Sequence, residues 1–225
     1  MNTISKEAFY RERAKAYPSE DPEALVRYRR AIDWMKLDGP LSIREVGCKF
    51  SVVFDLLKST GRPFDYQAVD IDLETLKKIP GYDPALFKQH NANVNLPFAD
   101  GSADYLLCLE VMEHLENATH FLAETKRVLK SGGRLILSVP NAYCWMELLD
   151  NFRRARDTEG HIATFTHQNV DALLRFGGMK LCDVKGTFTR IPFSRRLFGD
   201  YKLMQTDNLL LTRSLMFLIE KPLAA

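Results

Sequence analysis

Polar residues stand wherever an apolar segment of this chain ends: Glu45-Val46-Gly47, Asp70-Ile71-Asp72, Asn91 to Asn93, Glu110 and Pro140-Asn141. Carboxylates and amides in such places hold a polar ligand by hydrogen bonds, and a glycine lets backbone pass close to it. Asp70 follows Gly47 by 23 residues, close to the separation at which an acidic side chain meets a ribose hydroxyl in nucleotide-binding α/β units. The loop after the first apolar segment reads R-E-V-G-C-K-F-S (44–51), a cofactor-type loop in which Lys49 and Ser51 stand where small residues are expected. If the backbone there has ordinary φ, a Lys is tolerable. Its ammonium would attract a carboxylate and repel a cation. Ser51, at a helix start, can cap the helix or offer its hydroxyl to an anion.

These residues have to be positioned by strands and helices. LSIREVG (41–47), DYQAVDID (65–72), ALFKQHN (85–91), ADYLLCLEV (103–111) and GRLILSVPN (133–141) read as strands. ADYLLCLEV is almost continuously apolar, as in a strand covered on both faces. SVVFDLLKSTG (51–61) reads as a helix ending at Gly61, LETLKKI as a short helix stopped by Pro80, and ATHFLAETKRVLK (118–130) as a helix stopped by Ser131-Gly132-Gly133. The alternation predicts a parallel sheet with helices on both faces, and ligands of such sheets sit beyond the carboxyl ends of the strands. Residues 5–37 read as two helices broken around Pro18-Ser19, 142–160 as an amphipathic insertion, and HQNVDALLRFGG (167–178) as a helix capped by Thr166. KLCDVKG and SLMFLIEKP read as a final antiparallel strand pair separated by a long loop rich in aromatic and basic residues.

The totals exclude several classes. The chain has 225 residues, 46% hydrophobic and 27% charged, with a formal charge of +2, too mild a balance to favour nucleic acid or a membrane surface. No apolar run has the length of a membrane span, and the start lacks the apolar core of a secretion signal. Cys48, Cys108, Cys144 and Cys182 form no C-x-x-C pair, so neither a zinc site nor a disulfide framework is expected, and no metal ligand is assigned. Cys108 and Cys182 lie in strand-like runs and are expected to be packed. A reducing cytoplasm and a single domain (1–225) are the expectations.

The ordered set E-V-G-C (45–48), V-D-I-D (69–72), N-L-P-F-A-D-G-S-A-D (95–104), C-L-E-V-M-E-H-L (108–115), R-V-L-K-S-G-G (127–133) and L-S-V-P-N (137–141) resembles the class I S-adenosylmethionine-dependent methyltransferases, and more closely their small-molecule branch. The resemblance covers about residues 40–185. It implies a Rossmann-like α/β fold with a mostly parallel seven-stranded sheet, an antiparallel C-terminal hairpin and helical cap additions. It also implies S-adenosylmethionine as cofactor and S-adenosylhomocysteine as product. Glu45 would orient the loop or the methionine ammonium, Gly47 would turn the chain under the cofactor, and Lys49 would lie near its carboxylate. Asp70 would accept both ribose hydroxyls, Ile71 would pack on adenine, and Asn91 (or Ala92 or Asn93) would meet the adenine amine. Glu110 and Val111 would pass the methionine part.

The same resemblance places His114 at the reacting centre, the alternative being a capping or packing histidine. In G-H-I-A-T-F-T, His161 is the general-base candidate, since imidazole titrates near neutrality; the alternative is a surface loop histidine. Specificity for a small-molecule acceptor would come from 1–37, 142–165 and 187–212, with Tyr10, Tyr17, Tyr143, Trp145, His161, Phe165 and His167 as candidate lining. Arg153, Arg154 and Arg156, with Arg190, Arg195 and Arg196, form two basic clusters that would suit an anionic acceptor if both border one cleft. Two other classes compete. A nicotinamide oxidoreductase would want G-x-G-x-x-G, which is absent. A non-catalytic binding protein of the same fold is motivated by Lys49 and Ser51. Neither acceptor identity nor oligomeric state is legible.

Overall fold

The computed structural model describes residues 5–14, 21–153, 157–191, 194, 196 and 202–223. Seven strands form one sheet: β1 (Leu41–Val46), β2 (Phe64–Asp70), β3 (Phe87–Gln89), β4 (Ala103–Leu109), β5 (Leu129–Pro140), β6 (Lys180–Lys185) and β9 (Ser214–Glu220). Their order is β3-β2-β1-β4-β5-β9-β6. β1 to β5 are parallel, whereas β9 runs antiparallel to both β5 and β6. This is the Rossmann-like methyltransferase arrangement expected from the motif order. Strand order reverses between β1 and β4, which puts a crevice at their carboxyl ends.

The near-continuous apolar run of β4 is explained by what covers it. Leu106 and Cys108 pack on one face with Phe121 and Leu122 of α5 (Ala118–Val128) and Val170 and Leu174 of α7 (His167–Phe176). Tyr105, Leu107 and Leu109 pack on the other with Ala31 of α2 (Pro22–Trp34), Val53 and Leu57 of α3 (Val52–Ser59) and Leu76 of α4 (Leu73–Leu76). Period-two side chains of one strand thus feed two cores. Two further α-helices are α1 (Lys6–Ala14) and α6 (Trp145–Phe152). No described helix is long and apolar enough to cross a membrane.

Several boundaries differ from the sequence-based reading. α5 stops at Val128, and β5 begins at Leu129 instead of after the Ser131-Gly132-Gly133 stop. Those residues belong to a bulge: Ala103 pairs with Leu129, but Tyr105 next pairs with Arg134. Gly133 tolerates no side chain there, since a Cβ would lie 2.9 Å from the Ala103 carbonyl oxygen. β2 ends at Asp70, and Asp72 instead caps α4, accepting the Glu74 N–H at 3.2 Å. The long loop before β9 contains a second small sheet, β7 (Phe188–Arg190) paired with β8 (Leu203–Gln205). Cys182, expected to be packed, is exposed, because β6 is an edge strand with a register shift between Leu181 and Asp183. Thr166 caps α7 as expected, within a reciprocal capping box with Asn169.

Candidate functional site

At the end of β1, Glu45 is 3% exposed and its carboxylate accepts the Tyr66 hydroxyl. Burial pushes the Glu45 carboxyl up to about 7, opposed by the Tyr66 bond and reinforced by the nearby Asp70 charge. Gly47 then turns with φ +80°, donating its N–H to the Val69 carbonyl at 2.8 Å. A Cβ at Gly47 would come within 2.2 Å of Val111 Cγ2. The ends of β1 and β4 therefore meet at a point where only glycine fits.

The following loop does not meet the condition of ordinary φ at Lys49. Lys49 has φ 46° and Ser51 φ 57°, both left-handed, so the backbone keeps a glycine-type path although neither residue is glycine. The Lys49 ammonium lies 5.1 Å from the centre of the Phe50 ring. Ser51 does not cap α3 with its side chain, contrary to one of its expected roles. Its hydroxyl is fully buried and has no hydrogen-bond partner among the described residues.

Asp70 ties the loop down. Its Oδ2 accepts the Lys49 N–H at 2.8 Å and its Oδ1 the Asp72 N–H at 3.0 Å, leaving lone pairs on both oxygens. Burial raises the Asp70 carboxyl above its usual range, and these two N–H groups work against that rise. Ile71 is half-buried, with its carbonyl accepting Gln89 Nε2 at 3.2 Å. Asn91 is engaged within its own turn: Oδ1 accepts both the backbone N–H and the side-chain Nδ2 of Asn93 at 3.0 Å. The oxygen expected to meet an adenine amine is thus already taken.

Glu110, after β4, has φ 57°, and its Oε1 accepts the Ser138 hydroxyl at 3.1 Å. The chain then makes one 3₁₀ turn, Met112–His114. Glu113 in that turn is 1% exposed, and neither carboxylate oxygen has a hydrogen-bond partner among the described residues. Burial and the Glu110 charge push its carboxyl well above the usual range. His114 Nδ1 lies 3.1 Å from the Gly160 carbonyl, and the His114 and His161 rings are 5.0 Å apart. Burial lowers the His114 pKa.

His161 is held by the loop before it. Asp157 Oδ1 accepts the backbone N–H groups of Glu159 (2.8 Å), Gly160 (2.6 Å) and His161 (3.2 Å), which leaves Oδ2 at 2.9 Å from His161 Nδ1. Above this cluster lies α1. Tyr10 stacks edge-on against His114 at 5.2 Å and donates its hydroxyl to the Gly160 carbonyl at 3.4 Å. Lys6 pairs with Glu116 at 2.6 Å, and Arg11 approaches Asp72 at 3.9 Å. The helix thus bridges the turns that follow β2 and β4.

His114, His161 and Tyr10 come together as the sequence suggests. Other expected lining residues do not join them. Phe165 belongs to the core beneath the sheet, and His167 stacks on Phe217 at 6.3 Å. Tyr143 and Trp145 are exposed. Arg190 is committed to Glu23 at 2.5 Å. Arg153 and Arg196 are exposed, and Tyr17, Arg154, Arg156 and Arg195 lie outside the described residues. Glu113, Asp157 and Tyr66 were missed from sequence. Asp157 carried a legible signal, since an Asp shortly before a glycine marks a side-chain-closed turn.

Residues 44–137 match the family described as a methyltransferase domain. A Mycolicibacterium smegmatis protein named as a probable S-adenosylmethionine-dependent methyltransferase is 28% identical over 149 residues, 65% of this chain and 54% of that protein. The phthiotriol/phenolphthiotriol dimycocerosates methyltransferase 1 of Mycobacterium ulcerans is 32% identical over 126 residues, 52% of this chain and 45% of that one. The match thus spans about half the length of these curated relatives. Among solved structures, a chain of the Haloferax volcanii complex containing the Trm112 methyltransferase activator superposes with TM-score 0.73 at 16% identity, covering 98% of this chain and 100% of that one. An S-adenosylmethionine-dependent methyltransferase of Thermotoga maritima gives TM-score 0.70 at 15% identity, with 96% and 97% covered. At those identities the structures speak to fold alone.

Proposed function

We propose that this chain is a class I S-adenosylmethionine-dependent methyltransferase, as the matching family and relatives support, and that it transfers a methyl group to an oxygen or nitrogen of a small-molecule acceptor. The observation that carries the reading is the anchoring of the 47–51 loop by Asp70. Left-handed backbone at Lys49 and Ser51, where glycines were expected, supports the reading that this loop takes the glycine-type path of a nucleotide-cofactor loop.

The residues present fit that cofactor. Asp70 has lone pairs left for two ribose hydroxyls, Ser51 has a buried unpartnered hydroxyl for a carboxylate, and Glu45 supplies a buried carboxyl for an ammonium. Ile71 would pack on adenine, and Glu110 and Val111 would border the methionine part. The cofactor itself supplies the electrophilic methyl group. The chain's task is alignment and exclusion of water, with α1 as a roof. His161 takes the acceptor's proton at Nε2, while Asp157 fixes the tautomer by accepting Nδ1–H and stabilises the imidazolium. Segments 1–37, 142–165 and 187–212 shape the acceptor side. A relative named for phthiotriol and phenolphthiotriol dimycocerosates supports an acceptor of small-molecule kind.

A second reading is a protein that holds the cofactor without turnover, or needs a partner to complete it. The left-handed Lys49 and a fold neighbour solved in a complex with an activator both favour keeping it in view. Calorimetric titration with S-adenosylmethionine and S-adenosylhomocysteine, followed by transfer of labelled methyl to acceptor panels, separates the two. Micromolar binding lost in Asp70→Ala, with turnover lost in His161→Gln, is the expected result. Binding without product across the panels would favour the second reading, and no binding at millimolar ligand would sink the cofactor assignment.

A further inference from the structure

We propose that Glu113, His114 and His161 form a binding site for a divalent first-row transition-metal ion. One donor atom from each lies within 4.8 Å of the other two. Cysteine spacing gave no hint of this, because the donors are two imidazoles and a carboxylate brought together by the 3₁₀ turn and the loop ending at His161. That donor set suits zinc, cobalt, nickel or iron rather than magnesium or calcium.

The hydrogen bonds around the histidines fix which nitrogens are available. A carbonyl oxygen can only accept, so the contact to Gly160 places a proton on His114 Nδ1 and leaves the Nε2 lone pair free. Asp157 does the same for His161: its Oδ2 takes Nδ1–H, and three backbone N–H groups hold its other oxygen. A carboxylate and a carbonyl behind two imidazoles is the arrangement that orients metal-ligating histidines elsewhere in proteins. Within reach of both rings lies the Glu113 carboxylate, buried and without a hydrogen-bond partner among the described residues. Its Oε1 is 4.0 Å from His114 Nε2, too far for a hydrogen bond but suited to a shared ion. Bonds of about 2.0–2.2 Å would draw the three donors together by about 1 Å. The two histidines are partly exposed, so an ion can reach the site and keep solvent or acceptor ligands.

This site does not depend on the cofactor assignment. It does bear on His161, because one Nε2 lone pair cannot hold an ion and take a proton at once. With the ion bound, an acceptor hydroxyl would lose its proton to solvent through metal polarisation rather than to imidazole.

The test uses the full chain stripped with a chelator and titrated with cobalt(II), read by visible absorption, and with zinc(II), read by calorimetry. One equivalent of each should bind, with an intensified cobalt band. His161→Gln and Glu113→Gln should weaken binding at least tenfold, and Asp157→Asn about 10–100-fold. His120→Ala should leave it unchanged. Circular dichroism establishes that each variant is folded, and the near-isosteric Glu113→Gln decides if a histidine variant is not. Absence of stoichiometric binding would overturn the proposal, as would equal affinity in Glu113→Gln or a loss caused by His120→Ala.

Discussion

Asp70 Oδ2 accepts the backbone N–H of Lys49 at 2.8 Å, so the residue that ends β2 holds the loop that leaves β1. The bond spans 21 residues of sequence and pins a left-handed lysine, a conformation costing roughly 1–2 kcal/mol for a residue with a side chain. Asp70 is therefore at once a scaffold for the loop and the proposed ribose ligand.

Replacing Asp70 should reveal both roles. Asp70→Ala removes acceptors for the Lys49 and Asp72 N–H groups, and the expected outcome is a loss of about 1–3 kcal/mol in denaturant unfolding. S-adenosylhomocysteine binding should fall at least a hundredfold by calorimetry. Full retention of affinity would remove Asp70 from the site.

Lys49→Gly should relax the loop. Glycine adopts φ 46° without steric cost, so stability should rise by about 1 kcal/mol after the larger unfolded-state entropy is counted. Lys49→Met keeps the strain and removes the charge. Comparing cofactor affinities of the two separates what the ammonium does from what the backbone does.

Gly47→Ala should be far worse than its size suggests. The added methyl carbon would sit 2.2 Å from Val111 Cγ2 at a φ of +80°. An expected loss of about 2–3 kcal/mol combines overpacking with left-handed strain. Adding Val111→Ala should restore only the overpacking part, which unfolding curves of the single and double variants will resolve.

Glu45 gives a pH signature with a definite sign. A carboxyl whose pKa rises from 4.5 to about 7 on folding binds its proton more tightly in the folded chain. Its contribution is fully present below pH 4.5, declines through the window up to about pH 7 and is absent above it. Glu45→Gln, which can still accept the Tyr66 hydroxyl, should lose this decline. Relative to wild type it should gain up to roughly 3 kcal/mol between pH 5 and pH 8. Parallel unfolding curves with a constant gap across that range would contradict the assignment.

Most of the sheet was legible because its central strands are buried on both faces, as the near-continuous apolar run of 103–109 shows. Helix ends with local chemistry were legible too, Thr166 being the clearest. The Ser131-Gly132-Gly133 segment misled because glycines that stop helices also form bulges, and only the partner strand decides which. β7 and β8 escaped notice since three-residue strands carry too little periodicity. At the site, Asp70 and Gly47 followed from spacing, whereas Glu113 looked like any charged residue in a turn. Its burial comes from packing contributed by distant segments, including the residues around His161 whose N–H groups reach back to its carbonyl.

The position of β9 between β5 and β6 governs how the chain can be made. β5 waits for a partner that the ribosome delivers only with residues 214–220, and until then its open edge carries Leu135, Ile136 and Leu137, which fill both cores in the finished fold. A nascent chain halted before Ser214 therefore presents an unpaired apolar edge, the kind of surface that chaperones shield and aggregates recruit.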